Sequence, residues 1–197
     1  MHETSVKPVL KTERLLIRTP QLGDEIPINQ AVNRSLKELQ RWMPWASDPS
    51  LKTTTAFVKS SMRQWNSKQP TLFPMVVIHK QDKLIIGASG YNEKSDPQVP
   101  FYEIGYWLDT QYTGFGLGTE LTVALTRYAF EVLSAIRVQI CVQADNFKSI
   151  RVAEKCGFAL EARLHHHRLD CKTGKPADDL IYACFDTSKL PLTQVTW

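Results

Sequence analysis

Glycine recurs at alternate positions in Gly114-Phe115-Gly116-Leu117-Gly118, between a strand-like segment, Phe101 to Leu108, and a helical one. Without Cβ atoms the chain can approach a ligand closely, and unpaired amides at a helix start supply positive partial charge. The chemistry this offers is the binding of a phosphate or pyrophosphate. No Lys-Ser/Thr pair follows, as a Walker loop would require, and the next acidic residues do not form a dinucleotide-ribose signature. Glycines alone leave a turn with no ligand as an open alternative.

Two further places could carry chemistry. Glu103 enters a strand otherwise made of Ile104, Tyr106, Trp107 and Leu108, where a carboxylate is expensive to bury unless it meets polar groups or water. It could equally pair with a basic side chain at the sheet edge. Asp145-Asn146 precede a helix over Phe147 to Cys156, which Gly157 stops, so either short side chain can cap it and Ser149 falls in its first turn.

The elements that must position these groups can be followed along the chain. Residues 1–11 read as a flexible leader, residues 12–186 as one domain and residues 187–197 as a tail with Trp197 available for docking on a partner subunit or on its own domain. Leu15-Leu16-Ile17 is a short strand and Glu25 to Leu39 a helix. Thr54 to Trp65 is a second helix, and Phe73 to His79 with Leu84 to Gly90 forms a hairpin about the Lys80-Gln81-Asp82-Lys83 turn. Helical spacing of Leu121, Ala124, Leu125, Tyr128, Ala129 and Val132 predicts a helix over Glu120 to Leu133. Arg137 to Val142, Phe158 to Leu164 and Leu180 to Phe185 complete the strands, with a loop over Asp170 to Asp178.

Gln111-x-x-Gly114-x-Gly116 matches the Gln/Arg-x-x-Gly-x-Gly/Ala signature of the GCN5-related N-acetyltransferase (GNAT) family, which the chain resembles. Thr12-Glu13-Arg14-Leu15, Tyr102-Glu103-Ile104-Gly105-Tyr106-Trp107 and Asn146-x-x-Ser149 resemble its ribosomal-protein N-terminal acetyltransferase (RimJ/RimL-type) branch. The resemblance implies a mixed α/β fold: a central, mostly antiparallel sheet with a splayed parallel strand pair, flanked by helices.

It also implies acetyl-coenzyme A (acetyl-CoA) as cofactor and direct transfer to a primary amine, with Glu103 or a water as base. Gln111, Thr113, Gly114, Phe115, Gly116, Leu117, Gly118 and Thr119 would hold the pyrophosphate. The backbone around Trp107 and Leu108 would hold the acetyl carbonyl. Asn146 would contact the cofactor arm, and Ser149 would help the thiolate leave, because Ala153 stands at the family's usual tyrosine position. Trp42, Trp45, Glu103 and His166 are the expected acceptor-side residues. The acceptor is expected to be a protein N-terminal α-amine, of a ribosomal protein among others. A small amine (polyamine, amino sugar or amino acid) or a non-catalytic coenzyme A-binding module are the alternatives. A homodimer would fit the family.

Composition bounds the rest. A chain of 197 residues can bury the core of one domain. The formal charge of +4 suits an anionic cofactor but forms no basic platform for nucleic acid. No apolar run reaches membrane-span length and no secretory signal opens the chain, so a cytoplasmic protein is expected. Cys141, Cys156, Cys171 and Cys184 lack close Cys-x-x-Cys spacing, and neighbouring histidines at 165–167 alternate in direction along a strand, so no metal site is expected.

Overall fold

The computed structural model describes residues 7–67 and 72–197. In order the elements are β1 (Val9–Lys11), β2 (Leu15–Arg18), α1 (Glu25–Arg34), α2 (Leu36–Trp42), a 3₁₀ turn (Pro44–Ser47) and α3 (Leu51–Trp65). Then come β3 (Phe73–His79), β4 (Leu84–Tyr91), β5 (Phe101–Leu108), a 3₁₀ turn (Thr110–Tyr112), α4 (Leu117–Glu131) and β6 (Arg137–Gln143). The chain closes with α5 (Phe147–Lys155), β7 (Ala159–Leu169) and β8 (Pro176–Cys184).

The eight strands form one sheet in the order β1-β2-β3-β4-β5-β6-β8-β7. All neighbours are antiparallel except β5 and β6. Both faces of the sheet are covered, and the alternation of a strand explains how one apolar run serves two cores. Met75 and Val77 of β3 pack with Leu121, Leu125 and Phe158 on the α4 and α5 side. Val76 between them joins Ile28, Val32, Leu39 and Val58 on the α1 to α3 side.

Several boundaries differ from the expectations. Val9–Lys11, assigned to the leader, pairs with Leu16, Ile17 and Arg18 as β1, and residues 1–6 lie outside the described residues. The tail docks on its own domain: Lys11 and Thr196 exchange two main-chain hydrogen bonds, and the Trp197 ring meets Tyr128 edge-on at 5.9 Å. The helix expected over Glu25 to Leu39 is two helices meeting at Ser35. There the Ser35 hydroxyl donates to Asp109 Oδ1 and accepts from the Thr110 N–H, tertiary bonds that no local pattern encodes. The helix after the glycines starts at Leu117, three residues early, and α3 starts at Leu51 behind its Ser50 cap. The final hairpin is longer than expected, with its loop reduced to residues 170–175.

Two buried carboxylates tie this scaffold to the glycine loop. Asp109, wholly buried, accepts from the Arg34 guanidinium at 2.7 Å as well as from Ser35. Glu120, at the first turn of α4, accepts from Thr12 Oγ1 at 2.5 Å, the Arg14 N–H at 2.9 Å and Arg14 Nε at 2.7 Å. Arg14 also donates through Nη1 to the Phe115 carbonyl at 2.8 Å, so one side chain holds both the loop and the helix behind it.

Burial opposes the Glu120 charge, but the bonds from Thr12 and Arg14 and the Arg14 charge outweigh it and hold the carboxyl below its usual range. Its stabilising contribution is therefore complete above the ordinary value of 4.5 and is lost as the pH falls through the lowered one. Glu120→Gln is expected to cost about 1–3 kcal/mol at neutral pH. It should also flatten the acid side of the stability curve, as read from urea midpoints against pH.

Candidate active site

The parallel ladder between β5 and β6 is short. Only Phe101, Tyr102 and Glu103 pair with Arg137, Val138 and Gln139, although β5 runs on to Leu108 and β6 to Gln143. Past that point the strands part, and a cleft of about 1100 Å³ opens between them, reaching from the glycine loop to α1, α2 and α3.

The glycine end fits an anionic group. Gly114 and Gly116 take φ values of +89° and +82°, a left-handed conformation that side chains rarely adopt. Gly116 is the N-cap of α4 and contributes no side-chain cap, so the first amides of a 15-residue helix are left to other partners. Thr113, Gly114, Gly116, Gly118 and Thr119 line the cleft. Arg151 and Lys155 on α5 add positive charge to this end.

Alternation along β5 sends its residues to opposite faces. Tyr102 and Ile104 belong to the core under α4, with Tyr106 and Leu108 packed against that core on the same side. Trp107 packs instead against the α1 to α3 cluster and meets Trp45 with ring centroids 5.9 Å apart. Glu103, of Trp107's parity, is 6% exposed and lines the cleft. Its Oε1 accepts from Asn92 Nδ2 at 2.7 Å and its Oε2 from Gln139 Nε2 at 2.5 Å. A carboxylate has about four lone-pair positions, so two carboxamides fix its orientation and leave capacity for a proton from the cleft.

The main chain alternates too. Asn92 N–H donates to the Glu103 carbonyl and Asp109 N–H to the Ile86 carbonyl, so the odd residues of β5 bond to β4. Trp107 therefore spends its main chain on β4, and Ile104, Tyr106 and Leu108 turn theirs toward the gap. Of the expected pair, Leu108 offers a backbone N–H to the cleft, while Trp107 offers its ring.

On the α5 side, Asn146 caps the helix by accepting from the Ser149 N–H at 3.2 Å, and Ser149 Oγ lies 2.7 Å from the Tyr106 hydroxyl. Burial pushes the Tyr106 phenol well up, with the Ser149 bond opposing, so the ring stays neutral. Lys148 of α5 reaches Glu38 of α2 at 2.9 Å across the cleft, an exposed pair that contributes little stability.

Trp42 and Trp45 line the cleft beside α2, while Gln111, Phe115 and Leu117 do not line it. Gln111 and Phe115 are exposed beside the loop, and Leu117 is buried in the core. His166 is also outside the cleft: it is exposed at an irregularity of β7, with φ +53° and its N–H on Asp178. The deep basic residue of this end is Arg168, held by Asp179 at 2.7 Å. Asn92, Tyr106, Gln139 and Arg168 carry no functional expectation from the sequence. Tyr106 had a signal in its alternation with Glu103, whereas Gln139 and Arg168 depend on strand register. Burial, and after it the nearby Asp179 and Glu103 charges, pushes the Cys141 thiol up to about 12, which removes it as a thiolate nucleophile.

A helix-borne anion site, a parted parallel pair and a carboxylate on the opposite face suit transfer between a phosphate-bearing donor and a second substrate. Residues 14–159 match the family model described as acetyltransferase (GNAT) domain. The chain belongs to the GNAT acetyltransferases. It is an acetyl-CoA-dependent N-acetyltransferase, and the glycine end with α5 is where its residues fit that cofactor.

Among curated GNAT relatives, YdaF of Bacillus subtilis (strain 168) is 26% identical over 164 residues, 77% of this chain and 81% of that protein. The ribosomal-protein-serine acetyltransferase of Escherichia coli (strain K12) is 29% identical over 143 residues, 70% and 75% of the two chains. RimL, a ribosomal L7/L12 α-N-protein acetyltransferase solved with coenzyme A, shares the fold with a TM-score of 0.81 at 21% identity, over 92% of this chain and 99% of that one. The microcin C7 self-immunity acetyltransferase MccE, solved with acetyl-CoA and AMP, gives 0.79 at 23% identity, over 88% and 93%.

Among the described residues no helix is long and apolar enough to cross a membrane, and no group of three or more His, Cys, Asp or Glu side chains is placed to hold a metal ion.

Because Tyr106 and Ser149 share one hydrogen bond, Tyr106→Phe and Ser149→Ala should each lower kcat by about tenfold, and the double variant should be no worse than the poorer single. Cys141→Ala should retain acetyl transfer within about threefold, as measured by thiol release.

Proposed function

We propose that this enzyme acetylates the α-amine of a protein N-terminus, a ribosomal protein being the first candidate, and so acts in the cytoplasm. The observation that carries the reading is the continuity of one cleft through the parted strands. It joins the glycine loop on one face to Glu103, Trp45 and Trp107 on the other. Support for the acceptor class comes from the ribosomal-protein acetyltransferase among the relatives.

When bound, acetyl-CoA supplies an activated acetyl thioester. Each step left to the protein is assigned to a residue in this proposal. Glu103 takes the proton that an ammonium must lose before its lone pair can attack, directly or through one water. Its two carboxamide partners fix its orientation beside the cleft. Trp45 and Trp107 wall the acceptor channel and restrict the approach of the amine, which converts an encounter into a positioned attack.

On the other side of the gap, the inward N–H groups of Tyr106 and Leu108 are donors for charge developing on the carbonyl oxygen. The Tyr106 and Ser149 hydroxyls share one hydrogen bond in which either can be the donor; with Tyr106 donating, the Ser149 hydroxyl is free to give its proton to the departing sulfur and to be restored from solvent. No acyl-enzyme is needed.

Time-resolved thiol release with acetyl-CoA tests the assignment, with pooled N-terminal peptides in one arm and pooled small amines in the other. Release that depends on the peptides is the expected result. Release with small amines alone would overturn the acceptor class, and coenzyme A binding without release in either arm would favour a binding module. Glu103→Gln should lower kcat about 100-fold with an unchanged coenzyme A dissociation constant.

A further inference from the structure

The acceptor face of β6 presents Gln139, Cys141 and Gln143, the parity opposite to Val138, Ile140 and Val142 in the core. Two of the three have evident partners. Gln139 donates to Glu103 and accepts from Arg137, and Cys141 Sγ accepts from Arg168 at 3.6 Å. Gln143 differs. It is 5% exposed and lines the cleft, yet neither its Oε1 nor its Nε2 has a hydrogen-bond partner. Asp179 Oδ1, on the residue opposite Gln143 in the register, is likewise without a partner; buried polar atoms left unbonded are unfavourable by more than a typical hydrogen bond gains, so the position calls for a partner with donors and an acceptor that enters from the cleft.

The chemistry of that partner can be narrowed. Asp179, opposite Gln143 in the β6–β8 register, holds Arg168 at 2.7 Å through Oδ2. The Arg168 charge is thus matched, and the site does not select a carboxylate or phosphate. Gln143 itself offers N–H donors and a carbonyl oxygen side by side. A main-chain peptide group, with one C=O and one N–H, complements that pair, whereas a cationic amine has donors only.

Position agrees with this. Gln143 lies four residues along β6 from the Gln139 that holds Glu103, about 13 Å at the rise of a strand. An extended chain covers about 3.5 Å per residue. A peptide whose amine meets Glu103 therefore brings about its fourth residue to Gln143. We propose that Gln143 is an acceptor subsite that reads a main-chain peptide group about four residues from the acetylated amine, an inference that rests on the protein N-terminal reading above.

The test uses a peptide with a free N-terminal amine that the enzyme acetylates, and a series of analogues in which one backbone amide at a time, over the first five linkages, is replaced by an ester. The ester removes a single N–H donor. With the wild-type enzyme, one linkage between the third and fifth residues should lower kcat/KM about tenfold through KM, with kcat unchanged. In Gln143→Leu that same replacement should change kcat/KM by less than twofold. If Gln143→Leu melts below the assay temperature, Gln143→Met, of similar volume and without the amide, carries the same expectation.

A flat ester series in the wild-type enzyme, or an equal loss in the variant, overturns the subsite alone and leaves the acceptor class standing. A wild-type enzyme that binds coenzyme A and acetylates no peptide overturns both.

Discussion

Two parallel strands that stay paired for only three residues impose the constraint on which this enzyme is built. A complete β5–β6 ladder would satisfy the main-chain groups of Ile104, Tyr106 and Leu108 and close the sheet between its two faces. Parting the strands leaves those groups without ladder partners and gives a passage through an otherwise continuous sheet. Such a gap is unfavourable in a bare fold, because backbone donors and acceptors lose their ladder partners. It persists because β4 still pairs with the whole of β5 beyond it and β8 with the matching part of β6. Each wall of the cleft is therefore held from behind.

The same division explains where the chemistry lies. Alternate residues of one strand reach opposite sides, so Glu103 and Trp107, the proposed acceptor-side pair, face one way while Tyr106 faces the other and bonds Ser149. Asp109 and Glu120 then fix the ends of the loop between β5 and α4. Asp109 joins it to the break between α1 and α2, and Glu120 joins it to the turn before β2. The helices α1 and α2 and the glycine loop are thus registered through buried carboxylates rather than through exposed pairs such as Lys148 with Glu38.

Much of the fold was legible because its signals are local. The run from Phe73 to His79, the turn after it and the glycines at 114, 116 and 118 each follow from nearest-neighbour chemistry, and the strand and helix types expected there match the structure. The boundaries that moved did so for tertiary reasons: β1 exists because Leu16 to Arg18 and Thr196 pair with it, and the helix after Gly23 breaks where Ser35 meets Asp109. Glu103 stood out as a carboxylate in an apolar strand. Its partners Asn92 and Gln139 come from a polar turn and a distant strand, and only the register brings them together. His166 drew attention by composition, yet an irregular strand turns it away and leaves Arg168 facing the cleft.

The parted strands and the uncapped start of α4 are where we propose that the cofactor binds. Amide hydrogen exchange, read residue by residue with and without coenzyme A, tests this most directly. Slower exchange on binding is expected at Ile104, Tyr106 and Leu108 in β5 and at Leu117, Gly118 and Thr119 in the first turn of α4. Gly105 and Trp107, already bonded to β4, should change little. Uniform protection along β5, or protection that leaves both the inward amides and the helix start unchanged, would contradict it.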